Sequence, residues 1–270
     1  MNKLVLVGCG NMGFAMLQAW IESGLEAAQG VTVVEPVEPL RERAKSIGVT
    51  AVENSSLIPA EFDPDFVIFA VKPQVMPEVV KAYKHFANGK TGFLSIAAGI
   101  KISLFEELLG SGQQIIRCMP NTPAAIGKGM MVLTANNPVS LESRSMAAKL
   151  LEANGRVEWV DDESLMDAVT AVSGSGPAYV FHFIECLTAA ARKAGLPEKT
   201  AAVLAMQTVY GAASLAFESE EEPGRLREQV TSPKGTTEAA LRVLMGESRL
   251  EKLVGEAVEA ARKRSEELGS

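Results

Sequence analysis

Leu4-Val5-Leu6-Val7-Gly8-Cys9-Gly10-Asn11-Met12-Gly13 is the stretch on which the fold turns. Four consecutive apolar residues predict a strand covered on both faces. The GxGxxG run behind them predicts a tight turn into a helix that carries Phe14, Leu17, Ala19 and Ile21. In that setting the run reads as a dinucleotide loop: Gly8 permits the turn, Gly10 lets the backbone approach a pyrophosphate, and Gly13 packs the helix close to the strand. The phosphates would rest on the helix N-terminus, where unpaired N–H groups point outward.

The same alternation continues outward from this unit. Apolar runs at Leu4–Val7, Val31–Glu35, Phe66–Val71, Gly92–Ala97, Gln114–Cys118, Met130–Thr134 and Val157–Val160 predict strands, separated by amphipathic stretches such as Leu141–Ala153. Strands alternating with helices imply an α/β fold with a largely parallel, doubly wound sheet. After Val160 the strands stop. Helices are expected over Ser164–Val172, Pro177–Ala194, Glu198–Phe217, Thr236–Met245 and Arg249–Glu267, with the acidic stretch Glu218–Pro223 as a loop or helix end. This divides the chain into a dinucleotide-binding domain over 1–161 and an all-helical domain over 162–270. The helical half is rich in Ala and poor in large aromatics, too thin to form a core alone, so it is expected to pack against a second copy in a homo-oligomer.

The chain has 270 residues, enough for about two domains of ~150 residues each. Apolar residues make up 47% and charged residues 22%, which supports a packed core. The 26 basic and 33 acidic residues give a net charge of −7, against a nucleic-acid-coating surface. No apolar run is read as reaching the ~20 residues a membrane span needs, and no membrane partner is expected. Lys3 and the apolar residues after it superficially match a secretory leader, but Asn11, Gln18 and Glu22 interrupt them, so a cytoplasmic location is expected. Cys9, Cys118 and Cys186 fit neither a disulfide framework nor a zinc site, and His85 and His182 lie far apart, so no metal is expected.

The remaining candidate residues gather at strand ends and helix starts. Glu35 closes the second strand, where a carboxylate would hydrogen-bond the adenosine ribose and repel a 2′-phosphate; that favours NADH, while Arg41 and Arg43 could offset the repulsion or form a solvated helix face. Val71-Lys72-Pro73, Ser95-Ile96-Ala97-Ala98-Gly99 and Met119-Pro120-Asn121-Thr122-Pro123 follow strands and border the expected ligand crevice. Ser173-Gly174-Ser175-Gly176-Pro177-Ala178 opens one long helix and Thr231-Ser232-Pro233-Lys234-Gly235-Thr236-Thr237 opens another. Both turns suit plain capping, and the second also suits a small carboxylate.

Taken in order, GCGNMG at 8–13, AVKP at 70–73, SIAAG at 95–99, MPNTP at 119–123, SGSGPAY at 173–179 and TSPKGTT at 231–237 resemble pyrroline-5-carboxylate reductases over nearly the whole chain. The resemblance implies a Rossmann-type N-terminal domain and a helical C-terminal domain that forms a homodimer or an assembly of dimers. It implies hydride transfer from a nicotinamide cofactor to the C=N bond of 1-pyrroline-5-carboxylate, giving L-proline. It places the cofactor on Gly8, Cys9, Gly10, Asn11, Met12, Gly13, Asn54, Ala70, Val71, Lys72, Pro73, Ile96, Ala97 and Ala98, to which strand-end position adds Glu35 and Asn121. It places the substrate near Glu163, Ser232, Thr236 and Thr237 with Glu220 close by; Gly235 lies in the same turn, and the chemistry of the imine points to the Thr237 hydroxyl on the ring nitrogen as the catalytic contact.

Two residues depart from the family pattern. Lys234 stands where the family often has glycine, which restricts positive φ and alters the expected turn, although its charge could assist a carboxylate. Glu35 argues for NADH, whereas the resemblance puts NADPH first. The competing readings are another small-acid or cyclic-imine reductase on the same plan and a nucleotide sensor without turnover. Lys193 and Lys199 flank a helix break, a poor place for the acid–base lysine of a 3-hydroxy-acid dehydrogenase.

Overall fold

The computed structural model describes residues 3–24, 28–59 and 61–269. Eight strands form one sheet: β1 Leu4–Val7, β2 Val31–Val34, β3 Thr50–Val52, β4 Phe66–Phe69, β5 Gly92–Ser95, β6 Gln114–Met119, β7 Gly129–Ala135 and β8 Gly155–Trp159. Their order is β3-β2-β1-β4-β5-β6-β7-β8. All pairings are parallel except β6 with β7. The chain order reverses at β1, which pairs with β2 on one side and β4 on the other.

Five helices accompany the sheet: α1 Asn11–Glu22, α2 Glu38–Lys45, α3 Met76–Lys81, α4 Ile102–Leu109 and α5 Leu141–Glu152. Alternation along β1 explains why it is apolar throughout. Leu4 and Leu6 join Met16, Leu17 and Trp20 of α1 and Leu150 and Leu151 of α5. Val5 and Val7 join Phe69, Phe93, Met76 and Val80 of α3 and Phe105 of α4 on the other face. Each face is thus sealed by helices, as a parallel sheet requires.

The chain then continues through α6 Met166–Val169, α7 Gly176–Lys193, α8 Glu198–Glu218, α9 Pro223–Gln229, α10 Thr236–Met245 and α11 Arg249–Leu268. It forms two compact units, residues 1–175 with 261–270 and residues 176–260. The division expected at 161 follows the last strand; the units part at 175/176, and the last turns of α11 fall with the first unit.

Several expectations are corrected. β3 was not anticipated: it is three residues long, and its first, Thr50, is exposed, so it lacks an apolar run. Nor was α9: Pro223 sits in its first turn, where the missing N–H costs nothing, and starts a helix rather than ending a loop. The single helix expected over 164–172 is instead a turn at Glu163–Leu165, α6, and a π-helical turn over Thr170–Gly174. Thr170 and Ser173 donate their hydroxyls to the carbonyls of Met166 and Val169, and the N–H of Ser175 reaches the carbonyl of Thr170, widening the turn. By length and composition α8 could also cross a membrane, contrary to the expectation that no run was long enough. In the second unit α7 packs against α8. Ala201 and Ala205 of α8 are buried, while Val203, Leu204, Met206, Tyr210, Leu215 and Phe217 remain exposed.

Candidate active site

The reversal of strand order between β1 and β4 opens a crevice at the carboxyl ends of the strands. The glycine loop lies there. Gly8 has φ +89°, and a β-carbon on it would come within 2.8 Å of the Ala70 carbonyl oxygen and the Val71 side chain. A β-carbon on Gly13 would stand 2.5 Å from the Gly8 carbonyl oxygen. Gly10 differs: its φ is −64° and a β-carbon would meet nothing within 4 Å. Two glycines are therefore demanded by the fold, and the third leaves open space beside the N-terminus of α1. No side chain caps that terminus, so the leading N–H groups of Asn11, Met12 and Gly13 have no intrahelical acceptor. This cradle fits a dinucleotide pyrophosphate.

The loop is held from the β2 side. Glu35 is buried and accepts the N–H of Cys9 at 2.7 Å and that of Val37 at 2.9 Å. Arg43 donates to the carbonyls of Cys9 at 2.7 Å and Gly10 at 3.2 Å, and its guanidinium lies 4.2 Å over the Phe14 ring. Arg41 donates to the carbonyls of Glu35 and Pro36. Each carboxylate oxygen of Glu35 thus serves a backbone N–H as well as standing at the strand end where a ribose was expected, a loop-holding role that the sequence reading did not include. Both arginines are half-buried and tied to main-chain carbonyls, Arg41 through Nη1 and Arg43 through Nη2, so neither forms a fully solvated face. Burial pushes the Cys9 thiol up to about 11, and raises Cys118 as well.

The other cofactor candidates sit at strand ends along the same sheet. Asn54 follows β3 and accepts from the N–H and hydroxyl of Ser56. Ala70 continues β4 by donating its N–H to Val7, and Lys72 is exposed ahead of a short turn begun by Pro73. Ile96 and Ala97 are buried beyond β5, with Ala98 half-buried. Asn121 donates to the Ser173 carbonyl at 3.0 Å and accepts the Met130 N–H at 2.9 Å, tying the MPNTP loop to the π-helical turn.

Glu163 belongs to the first unit. Its Oε1 accepts from the Arg117 guanidinium at 3.0 Å and from the Ile102 N–H at 2.9 Å. The rest of the substrate candidates lie in the second unit. Glu220 is exposed between α8 and α9. Gly235 is the N-cap of α10, and no side chain caps the helix. Among the described residues no partner takes up the hydroxyls of Ser232, Thr236 or Thr237. Lys234 keeps the tight turn despite its β-carbon, with φ +59°.

Three side chains that shape these features escaped the sequence reading in their actual roles. Arg43 grips loop carbonyls. Arg117 is a buried charge inside a strand, and its presence in the otherwise apolar run QIIRCM was the available signal. Glu238 stands at the third position of α10, where a carboxylate often reaches back past the cap. Among the described residues no group of three or more His, Cys, Asp or Glu could hold a metal.

A family model described as pyrroline-5-carboxylate reductase dimerisation matches residues 163–268. A second, described as NADP oxidoreductase coenzyme F420-dependent, matches residues 3–99. The pyrroline-5-carboxylate reductase of Pseudomonas aeruginosa is 42% identical over 268 residues, covering 98% of this chain and 96% of the relative. The enzyme of pea is 36% identical over 266 residues, covering 98% and 95%. A solved pyrroline-5-carboxylate reductase from Coxiella burnetii superposes with a TM-score of 0.94 at 34% identity, over 100% of this chain and 99% of that one. A Plasmodium falciparum pyrroline carboxylate reductase solved with NADP bound gives a TM-score of 0.85 at 28% identity, over 100% and 98%.

Proposed function

The chain belongs to the pyrroline-5-carboxylate reductase family, and on that premise we propose how its residues divide the work. The reaction reduces the C=N bond of 1-pyrroline-5-carboxylate to L-proline, the last step of proline biosynthesis. When bound, NADPH supplies the hydride that goes to the imine carbon.

The first domain, residues 1–161, holds the dinucleotide. Gly8–Gly13 receive the pyrophosphate on the open N-terminus of α1, and Asn54, Ala70–Pro73, Ile96–Ala98 and Asn121 shape the crevice along the strand ends. The observation that carries this reading is Gly10, a glycine that neither φ nor packing requires. Glu35 keeps the loop in register, and NADH is accepted alongside NADPH.

Residues 162–270 hold the substrate and the second subunit. Ser232, Thr236 and the leading N–H groups of α10 take the substrate carboxylate, with Gly235 admitting it and Glu220 beside it. The Thr237 hydroxyl accepts the N–H of the protonated imine and orients the ring. Because that form already carries its proton, no side chain titrating near neutrality is needed, and the rate comes from alignment of donor and acceptor. The exposed apolar residues of α7 and α8 are covered by a second copy, in a homodimer or an assembly of dimers. The three free cysteines suit a reducing, cytoplasmic setting.

The test is oxidation of NADPH and NADH by the purified protein with 1-pyrroline-5-carboxylate. Proline formation is expected with both cofactors. T237A is expected to lower kcat with dinucleotide affinity retained; unchanged turnover overturns the Thr237 role. Light scattering is expected to give a dimer or a multiple of it, and a stable monomer overturns that assignment.

A further inference from the structure

The turn before α10 contains a residue in an unfavourable backbone conformation. Lys234 has φ +59°, a region that side chains with a β-carbon enter at a cost and glycine enters freely. One side-chain contact compensates. The backbone N–H of Lys234 donates to Oε2 of Glu238 at 2.7 Å. Beside it, the Gly235 N–H closes onto the Ser232 carbonyl at 2.9 Å, and the Thr231 hydroxyl anchors the approach by donating to the Arg227 carbonyl. The turn is so close that a β-carbon on Gly235 would stand 2.9 Å from the Ser232 carbonyl oxygen. Glu238 therefore reaches back from the first turn of α10 to fix the residue of this turn whose conformation is intrinsically disfavoured.

We propose that Glu238 is a positioning residue for substrate binding: by holding Lys234 in the left-handed conformation it fixes Ser232, Thr236 and Thr237 at the mouth of α10. This rests on the reading of that turn as the substrate carboxylate site. A hydrogen bond to an ionised acceptor is among the stronger single contacts, and its loss lets the turn relax toward negative φ. The side chain does its work as an acceptor, so glutamine at 238 suffices. Glycine at 234 removes the conformational cost and with it the need for the contact.

The experiment uses the full-length protein with 1-pyrroline-5-carboxylate at saturating NADPH, and separately measures NADPH affinity and thermal midpoint. E238A is expected to raise KM for the substrate about tenfold, with the dinucleotide Kd unchanged. E238Q is expected to stay within about threefold of the parent. K234G placed on E238A is expected to restore most of the lost KM. Failure of K234G to rescue E238A overturns the proposal, as does an E238Q variant as impaired as E238A. S232A with T236A checks the underlying reading independently. If that pair leaves KM unchanged the turn is not the substrate site, whereas a raised KM without rescue by K234G defeats the clamp alone.

Discussion

The carboxylate of Glu35 accepts the backbone N–H of Cys9 at 2.7 Å, although 26 residues separate the two in sequence. Arg43 takes the carbonyl of the same Cys9 from the other side. Opposite charges thus fix both polar groups of one residue in the glycine loop, while the leading N–H groups of α1 carry no side-chain cap.

Loosening either contact should weaken the dinucleotide before it affects the chemistry. E35Q sets an amide group against one of two buried N–H donors, at a cost of about 1–3 kcal/mol. The KM for NADPH and NADH should rise with kcat nearly constant, and the NADPH-to-NADH ratio of kcat/KM should increase because the negative charge is gone. R43A should raise both KM values as well, and R43K should not repair it, since a lysine cannot bridge two carbonyls and stack on Phe14 as the planar fork does. Steady-state kinetics with both cofactors measures each effect.

Gly10 and Gly13 should separate ligand from fold. G13A drives a β-carbon onto the Gly8 carbonyl oxygen and should cost about 1–3 kcal/mol of stability. G10A meets open space and should move the urea midpoint by less than about 0.5 kcal/mol equivalent. It should nevertheless weaken dinucleotide binding about tenfold or more, by blocking the approach of the pyrophosphate. Titration of fluorescence quenching alongside urea unfolding reads both quantities.

Glu163 neutralises Arg117, whose side chain is only 5% exposed. E163A strands that charge and the Ile102 N–H together, and should cost about 3–5 kcal/mol. The double variant R117M/E163M should recover much of the loss, because no unpaired charge remains. Thermal unfolding of R117M, E163M and the double variant R117M/E163M gives the coupling.

Cys9 predicts a loss of stability at alkaline pH. Its thiol ionises at about 11 in the folded chain against an ordinary value of 9.0, because burial disfavours the anion. The stabilisation is complete below pH 9 and is lost as pH rises from 9 toward 11, where the unfolded chain releases the proton first. C9A should flatten this decline without abolishing it, since burial also raises Cys118 and Tyr83. Native protein should react quickly with at most one equivalent of thiol reagent, at the exposed Cys186, and with three after unfolding.

β1, β2, β4, β5, β6 and β7 are legible as largely apolar runs because both faces of the sheet are covered there, whereas the edge strand β8 shows only through Val157 and Trp159, its Arg156 and Glu158 being exposed. β3 is not, because at the sheet edge its Thr50 faces solvent. The glycine loop is legible for the same local reason: its turn is set by contacts within a few residues and by Ala70. The roles of Glu35, Arg43 and Arg117 are not, since each is defined by a backbone group 26 to 34 residues away or a partner 46 residues away. The π-helical turn is invisible to periodicity because Thr170 and Ser173 divert the backbone within an otherwise helical pattern.

The placement of residues 261–270 with the first unit also sets a timetable for synthesis on the ribosome. β1 emerges first yet must wait for β4, 62 residues later, before both its edges are paired. Ser265 then donates its hydroxyl to Asp167, and the chain at Leu268 and Gly269 closes on Gly99. The first unit is therefore completed by residues that follow the whole of the second unit in sequence. Premature termination inside α11 would leave an apparently complete N-terminal half with an unsealed loop at 95–99, a nascent product exposed to proteolysis rather than a smaller working enzyme.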